Sequence, residues 1–218
     1  GLPVMLAELT VGRSSRRSPI QALVSFGGSA WKPLGILFVT AGVVILGYYS
    51  VIAGWTVRSA VEAITGGFAE DSAARFETIA TGAPAVLWHL AFMAVTAAVV
   101  SRGIRSGIER VSLILMPLLA ALVIGLAIYA STLDGATAGY AYYLQTDFQE
   151  ILSFDVLKDA ASQAFFSLSL GMGAILTYAS YLSREHHLPD ESLMIAVSDF
   201  GVAFVAGLVV FPLLFALG

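Results

Sequence analysis

The chain has 218 residues, of which 58% are hydrophobic and 12% are charged, and its formal net charge is −4. With a mean hydropathy of +0.85, it falls among membrane proteins rather than soluble globular domains. No cysteine occurs, which excludes disulfides and thiolate metal sites. No HExxH, GxSxG, P-loop or CxxC motif and no basic nucleic-acid patch is present, so we expect neither an enzyme nor a nucleic-acid-binding protein.

Long apolar runs predict membrane-spanning helices, each needing about 20 residues to cross the hydrocarbon core of a bilayer. Residues 1–14 are predicted to be the last turns of one helix. We expect residues 1–218 to belong to one domain. We therefore expect an all-α, multi-pass membrane bundle. The predicted spans are 33–57, 83–101, 111–133, 160–183 and 192–218.

Lysine and arginine are distributed unevenly between alternate loops, with eight in one set and three in the other. By the positive-inside rule, the loops with eight basic residues face the cytoplasm. This predicts a multi-pass protein of the inner or plasma membrane. The opposite set holds Arg58, Arg75 and Lys158.

Two polar residues lie in the first part of the chain among apolar neighbours. Glu8 either faces the protein interior, as intramembrane carboxylates usually do, or lies near the interface and reaches water. Tyr49 follows Tyr48 deep in the span 33–57, and its phenol needs a hydrogen-bond partner at that depth. A structural hydrogen bond or a solute carboxylate would serve.

The span 160–183 is interrupted by small residues at Ser167, Ser169, Gly171 and Gly173. Small residues at this spacing let two membrane helices pack closely, and spacing alone favours that interpretation. The alternative is a helix broken near 167–173 that lines a binding site, because unpaired backbone groups in hydrocarbon need partners within the protein.

Asp199 lies in the last predicted span and is the one charged residue among its apolar neighbours. A carboxylate in such a position is a candidate for a functional site, with a cation as its natural partner.

Several long motifs resemble the neurotransmitter:sodium symporters, in their bacterial branch. The stretch QAFFSLSLGMGAILTYASYL resembles the sixth helix of that family. In order along the chain, four other stretches resemble the end of the second helix, the third helix, the fifth helix and the outer loop before the sixth. They are GLPVMLAELTVGR, GYYSVIAGW, GIERVSLILMPLL and YYLQTDF.

The resemblance implies the inverted-repeat leucine-transporter fold, in which two five-helix repeats hold substrate and sodium between unwound helices. The chain would then run from the end of the second helix through the seventh. Its expected partners are an amino-acid substrate, sodium, the lipid bilayer and the remaining helices of the same transporter.

The resemblance also implies roles for individual residues. Tyr49 would donate its phenol to the substrate carboxylate, and Ser167 and Asp199 would bind a sodium ion. Asp199 stands where the family usually has asparagine, and its charge could replace the chloride bound by animal members. The side-chain pocket would be lined by Ile45, Phe166, Ser169 and Met172. Phe166 would also cap the site from outside, and Gln163 would belong to the outer vestibule. Tyr181 would belong to the cytoplasmic gate, and Glu8 would brace the unwound backbone.

We therefore expect a piece of a sodium-coupled symporter that moves a hydrophobic or neutral amino acid into the cell by alternating access. Two alternatives remain. In a proton-coupled or exchange-type carrier of the same fold, Asp199 would be a proton site. In a non-transporting membrane protein, the Ser/Gly stretch would only pack helices.

Overall fold

The computed structural model describes residues 1–66, 72–145 and 151–217. The described residues form helices and turns without any strand, which confirms the all-α class. A short 3₁₀ turn spans Ser29–Trp31, and a π-helical turn spans Ile104–Glu109. The α-helices are α1 (Leu2–Ser15), α2 (Pro19–Gly27), α3 (Lys32–Ile64), α4 (Ser72–Ala80), α5 (Gly82–Val100), α6 (Arg110–Ser131), α7 (Ala136–Leu144), α8 (Phe154–Ser167), α9 (Ala174–Ala179) and α10 (Leu188–Leu217).

Four segments of the described chain are long and apolar enough to cross a bilayer, which makes this a multi-pass membrane protein. They are Ser29–Ile64, Gly82–Val100, Ser106–Ser131 and Leu188–Ala216. The predicted span 160–183 is not among them, because the chain there forms two shorter helices, α8 and α9.

Helices α3 and α10 extend beyond their predicted bounds because polar residues lengthen them. Helix α3 continues past residue 57 to Ile64, where Arg58 pairs with Glu62 one turn later at 2.9 Å. Helix α10 begins at Leu188, before the predicted start at 192, and Asp190 and Glu191 in its first turn suit the positive end of the helix dipole. Gly218, the predicted end of this span, lies outside the described residues.

Helix α8 begins at Phe154, earlier than the predicted start at 160. The hydroxyl of Ser153 caps its first turn by accepting a hydrogen bond from the backbone N–H of Val156 at 3.3 Å, and Asp155 adds a favourable negative charge there. Sequence hydropathy misses this start because the first turns of α8 are polar.

The chain divides into two compact units. The unit of residues 43–116 holds α3 from residue 43 onward, α4, α5 and the start of α6. Here Glu62 accepts from Arg58 and from Arg75. A Cβ on Gly54 would lie 2.7 Å from the backbone nitrogen of His89, so α3 and α5 are in close contact at this point.

The other unit comprises residues 1–42 and 117–218 and contains the buried core of α1. Met5 and Leu9 of α1 pack with Leu168, Leu170 and Ala179, which lie at and after the end of α8. Helix α1 therefore covers the region where the sequence predicted a broken helix.

Helix α10 is held in the same unit by α7. The ring of Tyr143 stacks on Phe211 with their centroids 4.8 Å apart, and its hydroxyl donates to the carbonyl of Phe204 at 3.3 Å. Gly139 and Gly207 provide the space for this packing, since a Cβ on either would collide with the opposite helix. The aromatic contacts thus fix the half of α10 that follows Asp199.

Gly12 allows α1 to approach α9 closely. A Cβ on Gly12 would lie 2.8 Å from the Cβ of Ala179 and would collide with the carbonyl oxygen of Leu176. Backbone and a short side chain cannot move aside as a long side chain can.

We expect Gly12→Ala to lower the stability of the full-length protein by about 1–3 kcal/mol, the usual cost of overpacking. The measurement is the midpoint of thermal unfolding in detergent. Gly125→Ala on α6 is the matched control, because a Cβ there meets no described atom within 4 Å. Equal midpoints for the two variants would contradict the prediction.

Candidate ion and substrate site

The helix that the sequence predicted over 160–183 is interrupted between Ser167 and Ala174. Three residues of the interruption have φ in the left-handed region: Ser169 at 54°, Gly171 at 75° and Gly173 at 72°. Glycine adopts this conformation without steric cost, whereas serine does so at some cost. The two glycines therefore permit the break, and Ser169 carries the less favourable turn.

The interruption leaves a row of backbone oxygens without donors. The last hydrogen bonds of α8 run from Leu168 N to Ala164 O at 3.2 Å, from Leu170 N to Phe165 O at 2.9 Å and from Ser169 N to Phe166 O at 3.1 Å. After these, no described residue donates a hydrogen bond to the carbonyl oxygens of 167–172. Such oxygens, at the negative end of a helix, are suited to bind a hard cation.

Glu8 reaches this segment from α1. Its side chain is buried, with 6% of the residue exposed, and Oε1 accepts a hydrogen bond from the backbone N–H of Gly171 at 2.7 Å. Its other oxygen, Oε2, is buried without a hydrogen-bond partner among the described residues. Glu8 therefore faces the protein interior, and the alternative position at the membrane interface is wrong.

Ser167 and Asp199 bring two further oxygens together from separate helices. The hydroxyl of Ser167, the last residue of α8, donates to Oδ1 of Asp199 on α10 at 2.6 Å. Asp199 is half-buried and Ser167 is exposed. The pair lies at the end of α8, where the chain enters the segment whose carbonyl oxygens receive no hydrogen bond from a described residue.

The other residues predicted for the site lie in or near the same interruption or on α3. Phe166 is 42% exposed at the end of α8, and Ser169 and Met172 are half-buried in the interruption. Gln163 lies one turn before Ser167, and Tyr181 lies just past α9 and is exposed. Ile45 and Tyr49 lie one turn apart on α3, in the unit of residues 43–116, so the unit that contains the interruption does not include them.

Two residues next to the interruption were not predicted. A Cβ on Gly42 of α3 would lie 3.2 Å from the carbonyl oxygen of Met172, and a Cβ on Gly173 would lie 2.9 Å from Cγ of Pro19. Gly42 precedes Ile45 and Tyr49 at helical spacing, three and seven residues earlier, which could have identified it. Nothing in the sequence indicates that Pro19 lies next to the interruption, since proline is common at the start of any helix.

A family model for the sodium:neurotransmitter symporter family matches residues 68–216. The chain belongs to this family. An uncharacterized sodium-dependent transporter of Bacillus subtilis is 34% identical over the whole chain. The crystal structure of MhsT in complex with L-phenylalanine matches the whole chain with a TM-score of 0.90 and 41% identity.

These comparisons agree with the leucine-transporter fold expected from the sequence. The chain spans about half of these proteins, 49% of the Bacillus transporter and 51% of MhsT. A sodium-dependent nutrient amino acid transporter of Drosophila melanogaster is 32% identical over 59% of the chain and 19% of its own length. The family and its structural neighbours are transporters and not enzymes.

We expect the hydrogen bond from the N–H of Gly171 to Glu8 to stabilise the full-length protein. Glu8→Ala should lower stability by about 1–3 kcal/mol, because it removes a hydrogen bond to a carboxylate and leaves the half-buried N–H of Gly171 without its acceptor. Glu8→Gln keeps an oxygen acceptor and should lose less.

The midpoint of thermal unfolding checks this order. Glu185→Ala is the control, since Glu185 is exposed and forms no hydrogen bond or ion pair with a described residue. A midpoint for Glu8→Ala equal to that of the control would show that the bond contributes nothing to the unwound segment.

Proposed function

We propose that the full-length protein is a sodium-coupled symporter that carries a hydrophobic or neutral amino acid into the cell by alternating access. One observation carries the proposal. Helix α8 is interrupted after Ser167, the Ser167 hydroxyl contacts the Asp199 carboxylate at 2.6 Å, and the carbonyls of 167–172 receive no hydrogen bond from a described residue, in a chain whose relatives are named sodium-dependent transporters. The membrane is proposed to be the inner or plasma membrane, with the basic loops in the cytoplasm.

The proposed sodium site uses oxygens from α8 and α10. Sodium is a hard cation that prefers oxygen ligands, and here it is a transported substrate. The Ser167 hydroxyl donates a hydrogen bond to Asp199 at 2.6 Å, so the two side-chain oxygens are already adjacent. With the ion bound, the hydroxyl would turn its proton away, so that the oxygens of both side chains and the nearby carbonyls face the cation.

The proposed substrate pocket uses Phe166 at the end of α8 with Ser169 and Met172 of the interruption. The family resemblance assigns Ile45 and Tyr49 of α3 to the same substrate. An aromatic ring and a flexible thioether suit an apolar side chain, and the phenol of Tyr49 suits a carboxylate. Two similar proteins support an amino acid as the substrate. They are the nutrient amino acid transporter of Drosophila and MhsT, whose structure is a complex with L-phenylalanine.

Gating follows from the same assignment. Phe166 would close the site from outside below Gln163, Tyr181 would take part in the cytoplasmic gate, and Glu8 would hold the unwound backbone in place. If sodium orders the interruption that also lines the substrate pocket, each ligand raises the affinity of the other by the same factor.

The test is uptake of labelled phenylalanine and of a panel of neutral amino acids by the full-length protein in proteoliposomes. An inward sodium gradient is compared with a potassium gradient. We expect uptake to require sodium, and Asp199→Ala to raise the half-saturating sodium concentration by about tenfold or more, because a cation site loses its charged ligand.

Asp190→Asn is the matched control, since Asp190 lies in the first turn of the same helix and pairs with His187 at 2.9 Å. Uptake that follows a proton gradient and ignores sodium would favour the proton-coupled carrier. Absence of uptake for every amino acid in the panel would contradict an amino acid as the substrate class.

A second prediction concerns chloride. Because Asp199 supplies a fixed negative charge beside the proposed cation site, we expect uptake to persist when gluconate replaces chloride. The half-saturating sodium concentration should then change by less than about twofold, since no mobile anion contributes to the site. Collapse of uptake in gluconate would contradict the proposal that the Asp199 carboxylate takes the place of chloride.

A further inference from the structure

A cavity of about 380 Å³ lies where α5 ends and α6 begins, within the unit of residues 43–116. The π-helical turn Ile104–Glu109 joins the two helices and forms part of its wall. Both helices belong to candidate membrane spans, so the cavity lies at the level where the chain leaves the bilayer. Its lining residues are Val99, Arg102, Ser106, Gly107, Arg110 and Val111.

The two arginines of the cavity are in no ion pair within the described part of the chain. Neither the guanidinium of Arg102 nor that of Arg110 forms an ion pair or a hydrogen bond with any residue that the structure describes. Arg58 and Arg75, in the same unit, are both paired with Glu62. Two unpaired guanidinium groups on one cavity create a local positive potential that attracts an anion.

The turn itself is fixed by short-range contacts. Ser106 donates its hydroxyl to the carbonyl of Arg102, and Gly107 N–H donates to the carbonyl of Gly103 at 3.1 Å. Gly107 is buried against the carbonyl of Val99, where no Cβ would fit. These contacts hold Arg102 and Arg110 on the same cavity although they are eight residues apart in the chain.

The walls of the cavity indicate the kind of anion. Val99 and Val111 are apolar and belong to the two spans, while the arginines lie at the span ends. A ligand with a charged phosphate and an apolar tail matches both features. Basic residues on the cytoplasmic side of membrane helices bind anionic lipid headgroups in this way.

We propose that this cavity binds a phosphate group, supplied by the headgroup of an anionic lipid, with Arg102 and Arg110 as its ligands. Arginine suits this role because its planar guanidinium can donate two parallel hydrogen bonds to phosphate oxygens. The proposal is independent of which solute is transported, because it uses none of the residues assigned to the sodium and substrate sites.

The experiment measures lipid binding by native mass spectrometry of the full-length protein in detergent. The probe is phosphatidylglycerol, and phosphatidylcholine is the zwitterionic comparison. We expect phosphatidylglycerol to bind more tightly to the wild type, and Arg102→Gln and Arg110→Gln each to weaken its binding about fivefold, since each basic side chain contributes separately.

Arg17→Gln is the matched control, because Arg17 is an exposed arginine of another predicted cytoplasmic loop and does not line the cavity. Thermal unfolding of each variant separates loss of binding from loss of folding, and Arg102→Lys and Arg110→Lys replace any glutamine variant that does not fold. Equal weakening in Arg17→Gln, or equal binding of phosphatidylglycerol to wild type and cavity variants, would overturn the proposal.

Glycerol 1-phosphate, which has the phosphate and no acyl chain, distinguishes the two sources of the anion. Binding of phosphatidylglycerol at least tenfold tighter than that of glycerol 1-phosphate would support the lipid headgroup. Equal, arginine-dependent binding of both would overturn the assignment to a lipid and leave a soluble phosphate ester as the ligand.

Discussion

The unwound segment between α8 and α9 depends on one buried carboxylate that belongs to another helix. Backbone N–H and C=O groups at membrane depth must find partners inside the protein, since lipid offers none. Glu8 provides such a partner by accepting from the N–H of Gly171. Because Met5 and Leu9 of the same helix pack on Leu168 and Leu170, the apolar core and this hydrogen bond hold the segment together.

The candidate ion site joins residues that are far apart in the chain. Ser167 ends α8, whereas Asp199 lies on α10, and the stacking of α7 against α10 fixes the position of the latter. The carbonyl groups released by the break add oxygens that an unbroken helix would keep in its own hydrogen bonds. A cation at this point would therefore link the end of α8 to α10, which is how binding could change the arrangement of helices.

Some of these features could be predicted from local sequence and others could not. Uncharged runs indicated α3, α5, α6 and α10 because lipid solvation selects apolar residues whatever the neighbouring helices are. The predicted end of α3 and the predicted start of α8 were wrong. An i,i+4 ion pair extends α3 to Ile64, and a serine cap starts α8 at Phe154, beyond the apolar residues of each helix. The family motifs, rather than the spacing of small residues, favoured a break near 167–173 over helix packing.

The sequence by itself determined the all-α class, the membrane environment and the family, since composition and ordered motifs are properties of the chain alone. Only the tertiary structure decided that Glu8 faces the protein interior and that Ser169 takes a left-handed conformation. It also decided that Gly12 is a point of close helix contact and that Arg102 and Arg110 share a cavity. The contacts of Glu8 and Gly12 depend on which distant segments meet in space, whereas the conformation of Ser169 and the shared cavity of Arg102 and Arg110 depend on the local path of the backbone. Hydropathy and residue spacing encode neither.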